Sequence, residues 1–390
     1  MNPQTSSQLK KLLLCTALST IPIIAITAEV TTIEMTAPGF TPLTIGDVAV
    51  DNNGAAVTTW TGSNTILVRL ALETLNDIRP LIRIPTAFGN ETRGRASVGM
   101  AYSGVWTISW VEYAHDLPIA VVARRFDRTG AALRDPTLVA KLHVPRHPLP
   151  SAEKIRNVDL AVVGDGRSVV VWDHDSDGDG ESEVYAKQID SSGNPIGKEI
   201  RVSAPTHRQN AYPRVAADKV GGFAVVWTGQ IGDNDPAGIH VQRFLKDGTP
   251  LGKWLVASHG GAPADPDIAM SPDGRFVVVW DDLSRQNIWA RPFNADGKPA
   301  GEQFAVVSGY KPAVAMAGDG TFVIIGAWGS STEQWQCGGD LYRFPSRHVK
   351  SVTIDTSDCR ARVAMDQSGK WVVAWLKDSK VKVRRYSGAY

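Results

Sequence analysis

The densest chemistry in the sequence lies in one short run, Asp173-His174-Asp175-Ser176-Asp177-Gly178-Asp179-Gly180-Glu181-Ser182-Glu183. Carboxylates recur at every second position. Alternate residues of a tight loop can turn their oxygens onto one hard cation, and Gly permits the bend. Asp173, Asp175, Asp177, Asp179, Glu181 and Glu183 are therefore the candidate ligands of a Ca2+ ion. Acidic side chains this close repel one another unless a cation or solvent intervenes. A solvated acidic turn is the plain alternative. Asp233-Asn234-Asp235 is a weaker echo of the same pattern.

Other chemistry is sparser. Trp289, Trp335, Tyr212 and Tyr310 stand outside the repeat described below and offer faces on which sugar rings could stack, with core packing as the alternative. His143 and His147 are four apart, but Pro145, Pro148 and Pro150 forbid the helix that a zinc pair at that spacing needs. No nucleophile elbow, zincin, P-loop or dinucleotide fingerprint occurs. Carboxylates are plentiful without one pair standing out. An enzyme acting on glycans would need an acidic cluster at the centre of the molecule, drawn from several sheets. The formal net charge of +1 argues against nucleic acid as a partner.

The elements that must position these residues come from a repeat. Glycine, a β-branched run and Trp six positions on recur at Gly54/Trp60, Gly104/Trp110, Gly166/Trp172, Gly221/Trp227, Gly274/Trp280 and Gly369/Trp375. A seventh copy begins at Gly320, with Gly326 in the Trp position and Trp328 as a substitute through a bulge. The spacing suits four-stranded sheets of about 40–50 residues, slightly decorated. Each copy has a short first strand such as Pro213-Arg214-Val215-Ala216 or Pro266-Asp267-Ile268-Ala269. The Trp strand follows, then a third strand such as Val241-Gln242-Arg243-Phe244, a Gly/Asp turn and a fourth strand. No long 3.6-residue apolar stripe follows the N-terminal segment. The expected fold is all-β, a seven-bladed β-propeller over 29–390. The last copy lacks a fourth strand, and the orphan stretch Val30–Met35 precedes the first. That orphan strand is expected to complete the last blade and close the ring. The register Trp residues are expected to pack between sheets.

Residues 1–28 read as an export signal: Lys10 and Lys11, then an apolar run from Leu12 to Ala28 interrupted by Pro22. Export leaves Cys337 and Cys359, an even pair in an oxidising compartment, and a disulfide between them is expected, with two unpaired buried thiols as the alternative. The destination is periplasmic, cell-surface or extracellular, with no membrane attachment after cleavage; the alternative is an uncleaved anchor.

The run Pro-x-Val-Ala, then Gly-x-Phe-Val-Val-Val-Trp, Val-Gln-Arg-Phe, Asp-Gly and Leu-Gly resembles repeats of secreted bacterial β-propellers, clearest from Val158 to Gly301. Ser271-Pro272-Asp273-Gly274 resembles the turn of TolB-type propellers, and Gly261-Ala262-Pro263 the FG-GAP repeats of integrin-type propellers. The acidic loop begins like a helix–loop–helix calcium site, but Val184 stands where a bidentate Glu belongs. It is more similar to the calcium loops of integrin α-subunit propellers. The resemblance implies extracellular interaction. The expected function is a non-catalytic binding or adhesion module for a glycan or extracellular protein, with Ca2+ ordering one loop. The alternative is a carbohydrate-active propeller enzyme.

Overall fold

The computed structural model describes residues 32–387 except 37–41, 43, 63–64, 74–76, 90, 116, 143–156, 177–178, 180, 205–207, 231–236, 259–260, 329–335 and 357–359. The segment read as an export signal lies outside the described residues. So do His143, His147, Asp177, the Asp233–Asp235 echo, Trp335 and Cys359.

Every named element is a strand. A short strand, β1 (Thr32–Glu34), comes first. β2 (Thr44–Val50), β3 (Ala56–Gly62), β4 (Thr65–Ala71) and β5 (Ile82–Ile84) make one antiparallel sheet. β6 (Glu91–Met100), β7 (Trp106–Ala114), β8 (Leu117–Phe126) and β9 (Thr137–Lys141) make the next. β10 (Val158–Val162), β11 (Ser168–His174), β12 (Glu183–Ile189) and β13 (Pro195–Arg201) form a third. β14 (Arg208–Ala217), β15 (Phe223–Gln230), β16 (Gly238–Phe244) and β17 (Leu255–Val256) form a fourth. A seven-stranded sheet follows. It runs through β18 (Pro263–Met270), β19 (Phe276–Asp282), β20 (Asn287–Phe293), β21 (Phe304–Met316), β22 (Thr321–Trp328), β23 (Gln336–Arg343) and β24 (Arg347–Asp355). Its β21 is long enough to pair with β20 through Phe304–Ser308 and with β22 through Gly309–Met316. The last sheet contains β25 (Arg362–Met365), β26 (Trp371–Lys377) and β27 (Lys380–Tyr386), with β1 as its fourth strand.

The repeat glycines sit in the turns between first and second strands. All seven, from Gly54 to Gly369, have φ between 81° and 98°. That region is open to Gly at no steric cost and closed to most other residues, which is why the sequence repeats Gly there. Aspartates fix several of these turns: Asp51, Asp218 and Asp366 each accept backbone N–H groups from the turn they open.

The second strands are buried on both faces, as their β-branched runs require. Trp60, Trp110, Trp172, Trp227, Trp280 and Trp375 are 2% exposed or less. Each lies in a different apolar cluster between neighbouring sheets. One indole buries about 150–250 Å2, worth on the order of 4–6 kcal/mol. In the seventh copy β22 pairs with β23 without a bulge. Trp328 instead lies against Gly338, with its indole nitrogen beside Gly326, so the ring occupies space that two missing side chains leave.

The first and last sheets pack together through Ile45, Trp60 and Leu67 against Val372, Val381 and Val383. β1 pairs antiparallel with β27, Ile33 opposite Val383. Met35 is fully buried in the same cluster, and its N–H donates to the Val381 carbonyl at 2.8 Å. Met35→Ala is expected to lower the unfolding free energy by about 2–5 kcal/mol, read as a lower urea midpoint. Glu34→Ala removes only exposed contacts to Lys380 and Lys382 and is expected to cost less than about 1 kcal/mol. A larger loss for Glu34→Ala than for Met35→Ala would show that charge, not packing, secures this strand.

Candidate active site

The first strands β2, β6, β10, β14, β18, β21 and β25 line one cavity of about 570 Å3. One position recurs around it, immediately before an aliphatic residue: Asp47, Ser97, Asp159, Arg214, Asp267, Ala313 and Arg362. Where this residue is short and polar, its side chain reaches the next first strand around the cavity and accepts an amide proton. Asp47 accepts from Val98 N–H at 3.2 Å and Ser97 from Leu160 N–H at 3.1 Å. Asp159 accepts from Val215 N–H at 2.8 Å and Asp267 from Val314 N–H at 2.9 Å.

Ser97 ties two of these carboxyls together. Its Oγ lies 3.0 Å from Asp47 Oδ2 and 2.9 Å from Asp159 Oδ1, so the two oxygens are less than about 6 Å apart. The hydroxyl has one proton to give and already accepts one from Leu160 N–H. It can donate to one carboxylate only. Both contacts are hydrogen bonds when the other carboxyl is protonated and donates back to Oγ. The geometry therefore favours one proton on the Asp47–Asp159 pair.

The electrostatics agree. Burial pushes the Asp159 pKa up to about 6, with Asp47 adding to the rise and Arg214 opposing it. Burial pushes Asp267 up to about 7, again against Arg214. Asp47 is also raised by burial, and Arg362 pulls it back down. Burial works against the charge on Arg214, but the carboxyls of Asp159, Asp267 and Asp47 outweigh it and raise its pKa. Glu112, in contrast, accepts four donors, from Ala87, Phe88, Gly89 and the Trp110 indole, and is wholly buried. That carboxylate is a structural brace.

Two residues earlier stand Arg95, Asn157, Tyr212, Asp265, Lys311 and Arg360, which form an outer layer of the channel; the residue two before Asp47 is the exception, Ile45, which is buried in a core cluster. Tyr212, Asp265 and Lys311 have φ of 56°, 43° and 54° and sit at register shifts in their strands. These bulges aim successive side chains at the opening. They are held from behind. Asp173 accepts from Asn157 N–H at 2.6 Å and Tyr212 N–H at 3.3 Å, and Asp281 accepts from Lys311 N–H at 3.1 Å. Burial raises the Asp281 pKa to about 6.

The residues singled out by sequence scatter. Asp173 is a brace of the channel opening. Glu183 accepts from Ser176 and lies 3.3 Å from Arg201, and Asp179 accepts from Glu181 N–H. Asp175 is 2% exposed. Among the described residues no three His, Cys, Asp or Glu side chains are gathered as a metal site. Of the aromatics, Tyr212 lines the cavity and is 44% exposed. Trp289 packs on an inter-sheet core, and Tyr310 lies beneath the Lys311 ammonium. Cys337 is buried on β23. Asp47, Ser97, Asp159 and Asp267 went unremarked as chemistry. The available signal was the polar residue before an aliphatic one and a small one, as in Asp47-Val48-Ala49, Ser97-Val98-Gly99, Asp159-Leu160-Ala161 and Asp267-Ile268-Ala269, which a half-buried strand reading sends to solvent.

No protein-family model matches the sequence, and no curated protein does. Solved structures match the fold. The α-L-arabinanase of Penicillium chrysogenum, complexed with arabinobiose, aligns with a TM-score of 0.53 at 14% identity, over 84% of this chain and 98% of that one. The GH93 α-L-arabinofuranosidase of Fusarium graminearum, with arabinobiose, gives 0.53 at 11% identity, over 80% and 97%. The β-propeller domain of the Trilobed protease from Pyrococcus furiosus gives 0.51 at 10%, over 90% and 96%. Identities this low carry the fold alone, and the fold is that of a β-propeller. The expectation of a non-catalytic adhesion module is corrected. Structures of like fold include glycosidases, and the cavity gathers Asp47, Asp159 and Asp267 from three sheets.

Asp267 makes stability depend on pH. Its folded pKa of about 7 lies above the ordinary 3.8, so the folded state binds this proton more tightly than the unfolded state. The stability it contributes is full below about pH 4 and is lost as pH rises through about 7. Asp267→Asn is expected to raise the urea midpoint at pH 8 and to flatten its fall between pH 5 and pH 8. An unchanged slope would show that Asp267 is not the group responsible.

Proposed function

We propose that the protein is an exported glycan-processing enzyme, a glycoside hydrolase on a seven-bladed propeller that its N-terminal strand closes. The observation that carries the reading is the pair Asp47 and Asp159. Its carboxyl oxygens lie within about 6 Å, bridged by Ser97. Retaining glycosidases use two carboxyls about 5–5.5 Å apart, one protonated and one ionised. Arg362 favours charge on Asp47, and that charge helps Asp159 to keep its proton. Asp159 is thus the general acid and Asp47 the nucleophile. In the first step Asp47 bonds to the anomeric carbon while Asp159 passes its proton to the departing glycosidic oxygen. In the second, Asp159 takes a proton from water, whose oxygen displaces Asp47 and restores both groups. Arabinobiose, bound by two enzymes of like fold, makes arabinofuranosides the first substrates to assay.

Seven inter-sheet clusters and seven equivalent turn glycines support the blade count. In it β21 serves as outer strand of one blade and inner strand of the next. The β1–β27 pairing supports closure. Among the described residues no helix is long and apolar enough to cross a membrane. Cleavage after Ala28 and a Cys337–Cys359 bridge belong to the same proposal. So does Ca2+ on the 173–183 loop. Its candidate ligands are Asp173, Asp175, Asp177, Asp179, Glu181 and Glu183.

Asp159→Asn and Asp47→Asn are each expected to lower kcat about 10²–10⁴-fold on aryl arabinofuranosides or arabino-oligosaccharides. The acid must carry its proton, so kcat/KM is expected to fall as pH rises through about 6. Full activity in both variants, or a wild-type chain inert on all glycosides, would remove the reading. For the exported protein, intact mass with and without reductant checks cleavage and the bridge. A melting temperature raised by calcium and lowered again by chelator, but unmoved in Asp175→Asn, would place the ion on the loop; no shift in the wild type would exclude it.

A further inference from the structure

One side of the channel is strongly cationic. Arg95, Lys311 and Arg360 lie in its outer layer, Arg214 and Arg362 in its inner one, and a single recess brings them together with Asp265 and Asp267. Among the described residues none of these five cations makes an ion pair. Arg214 and Arg362 each donate to the carbonyl of the residue just before them, Pro213 at 3.0 Å and Ala361 at 3.2 Å. A guanidinium has five N–H donors, so most of this capacity points to solvent or a ligand. With Asp159 and Asp267 protonated below about pH 6, the channel has more cations than ionised aspartates.

Asp47, Asp159, Asp265 and Asp267 offset part of this charge on Arg214 and Arg362, but five cations in a narrow channel outnumber these carboxyls, and the surplus costs desolvation energy unless an anion meets it. Arg presents a planar fork that matches a carboxylate bidentately. On the glycan-processing reading given above, we propose that the substrate is an acidic glycan, with the carboxylate of a uronic acid unit seated against Arg95, Arg360 and Arg362. The cationic side then sets specificity, and the Asp47–Asp159 side performs the cleavage.

The test is calorimetry on the mature full-length chain, with tri-galacturonate as the free acid and as its methyl ester. The two differ in charge and hardly in shape. The free acid is expected to bind at least about tenfold tighter at low ionic strength, with the advantage shrinking as salt is raised. Arg360→Ala, at an exposed position, and Arg95→Ala are expected to reduce the preference while leaving the weak affinity for the ester. Equal affinity for acid and ester, or binding of neither, overturns the inference. Turnover is read in the same samples and reports separately. Preference for the acid without cleavage of any glycan removes the hydrolase and leaves the anion site. Cleavage of neutral arabino-oligosaccharides without a preference for acid does the reverse.

Discussion

Burial of the second strand on both faces is the constraint from which the rest of the molecule follows. In β3, β15 and β19 nearly every side chain is withdrawn from water. A strand of this kind cannot be satisfied by one sheet; it needs a neighbour on each side. A repeat Trp enters six of the seven inter-sheet cores described. So much apolar area on the flanks allows the first strands to carry charge at the centre. Asp47, Asp159, Asp267, Arg214 and Arg362 would be costly in a smaller core. Here they are held in place by packing that does not involve them.

The central charges are also made to contribute to assembly. Asp47, Ser97, Asp159 and Asp267 each cap an amide of the next first strand around the channel. Those amides face the channel, where no further strand can pair with them. One residue position thus satisfies the backbone and stocks the channel with acid. The elevated pKa values arise from the same placement, because burial taxes the charged form more than the amide contacts relieve it.

The architecture was largely legible in the sequence, because it rests on backbone and volume. Gly at φ near 90° and Trp at full burial are demands that few other residues meet. The site was much less legible. Asp267 sits in a segment that reads as an ordinary strand, and nothing local says that its side chain faces an axis shared with β2 and β10. Proximity of Asp47 to Asp159 depends on pairing across sheets far apart in sequence, and a pKa depends on what surrounds the group in space. The acidic loop drew attention through density of charge, yet Asp173 serves the opening by holding Asn157 and Tyr212. Trp328 shows the same limit on a smaller scale: its place was foreseen, but two glycines make room for it where a bulge was expected.

The unbroken run of β21 has a mechanical consequence. Elsewhere a connecting loop separates the outer strand of one sheet from the inner strand of the next, and such a joint can swivel. From Phe304 to Met316 there is no joint. The two sheets that share it are laced by hydrogen bonds on either side of the same backbone, and form one stiff plate. Lys311 sits at the bulge in that shared strand, so on this side the channel wall is tied to both sheets through one backbone.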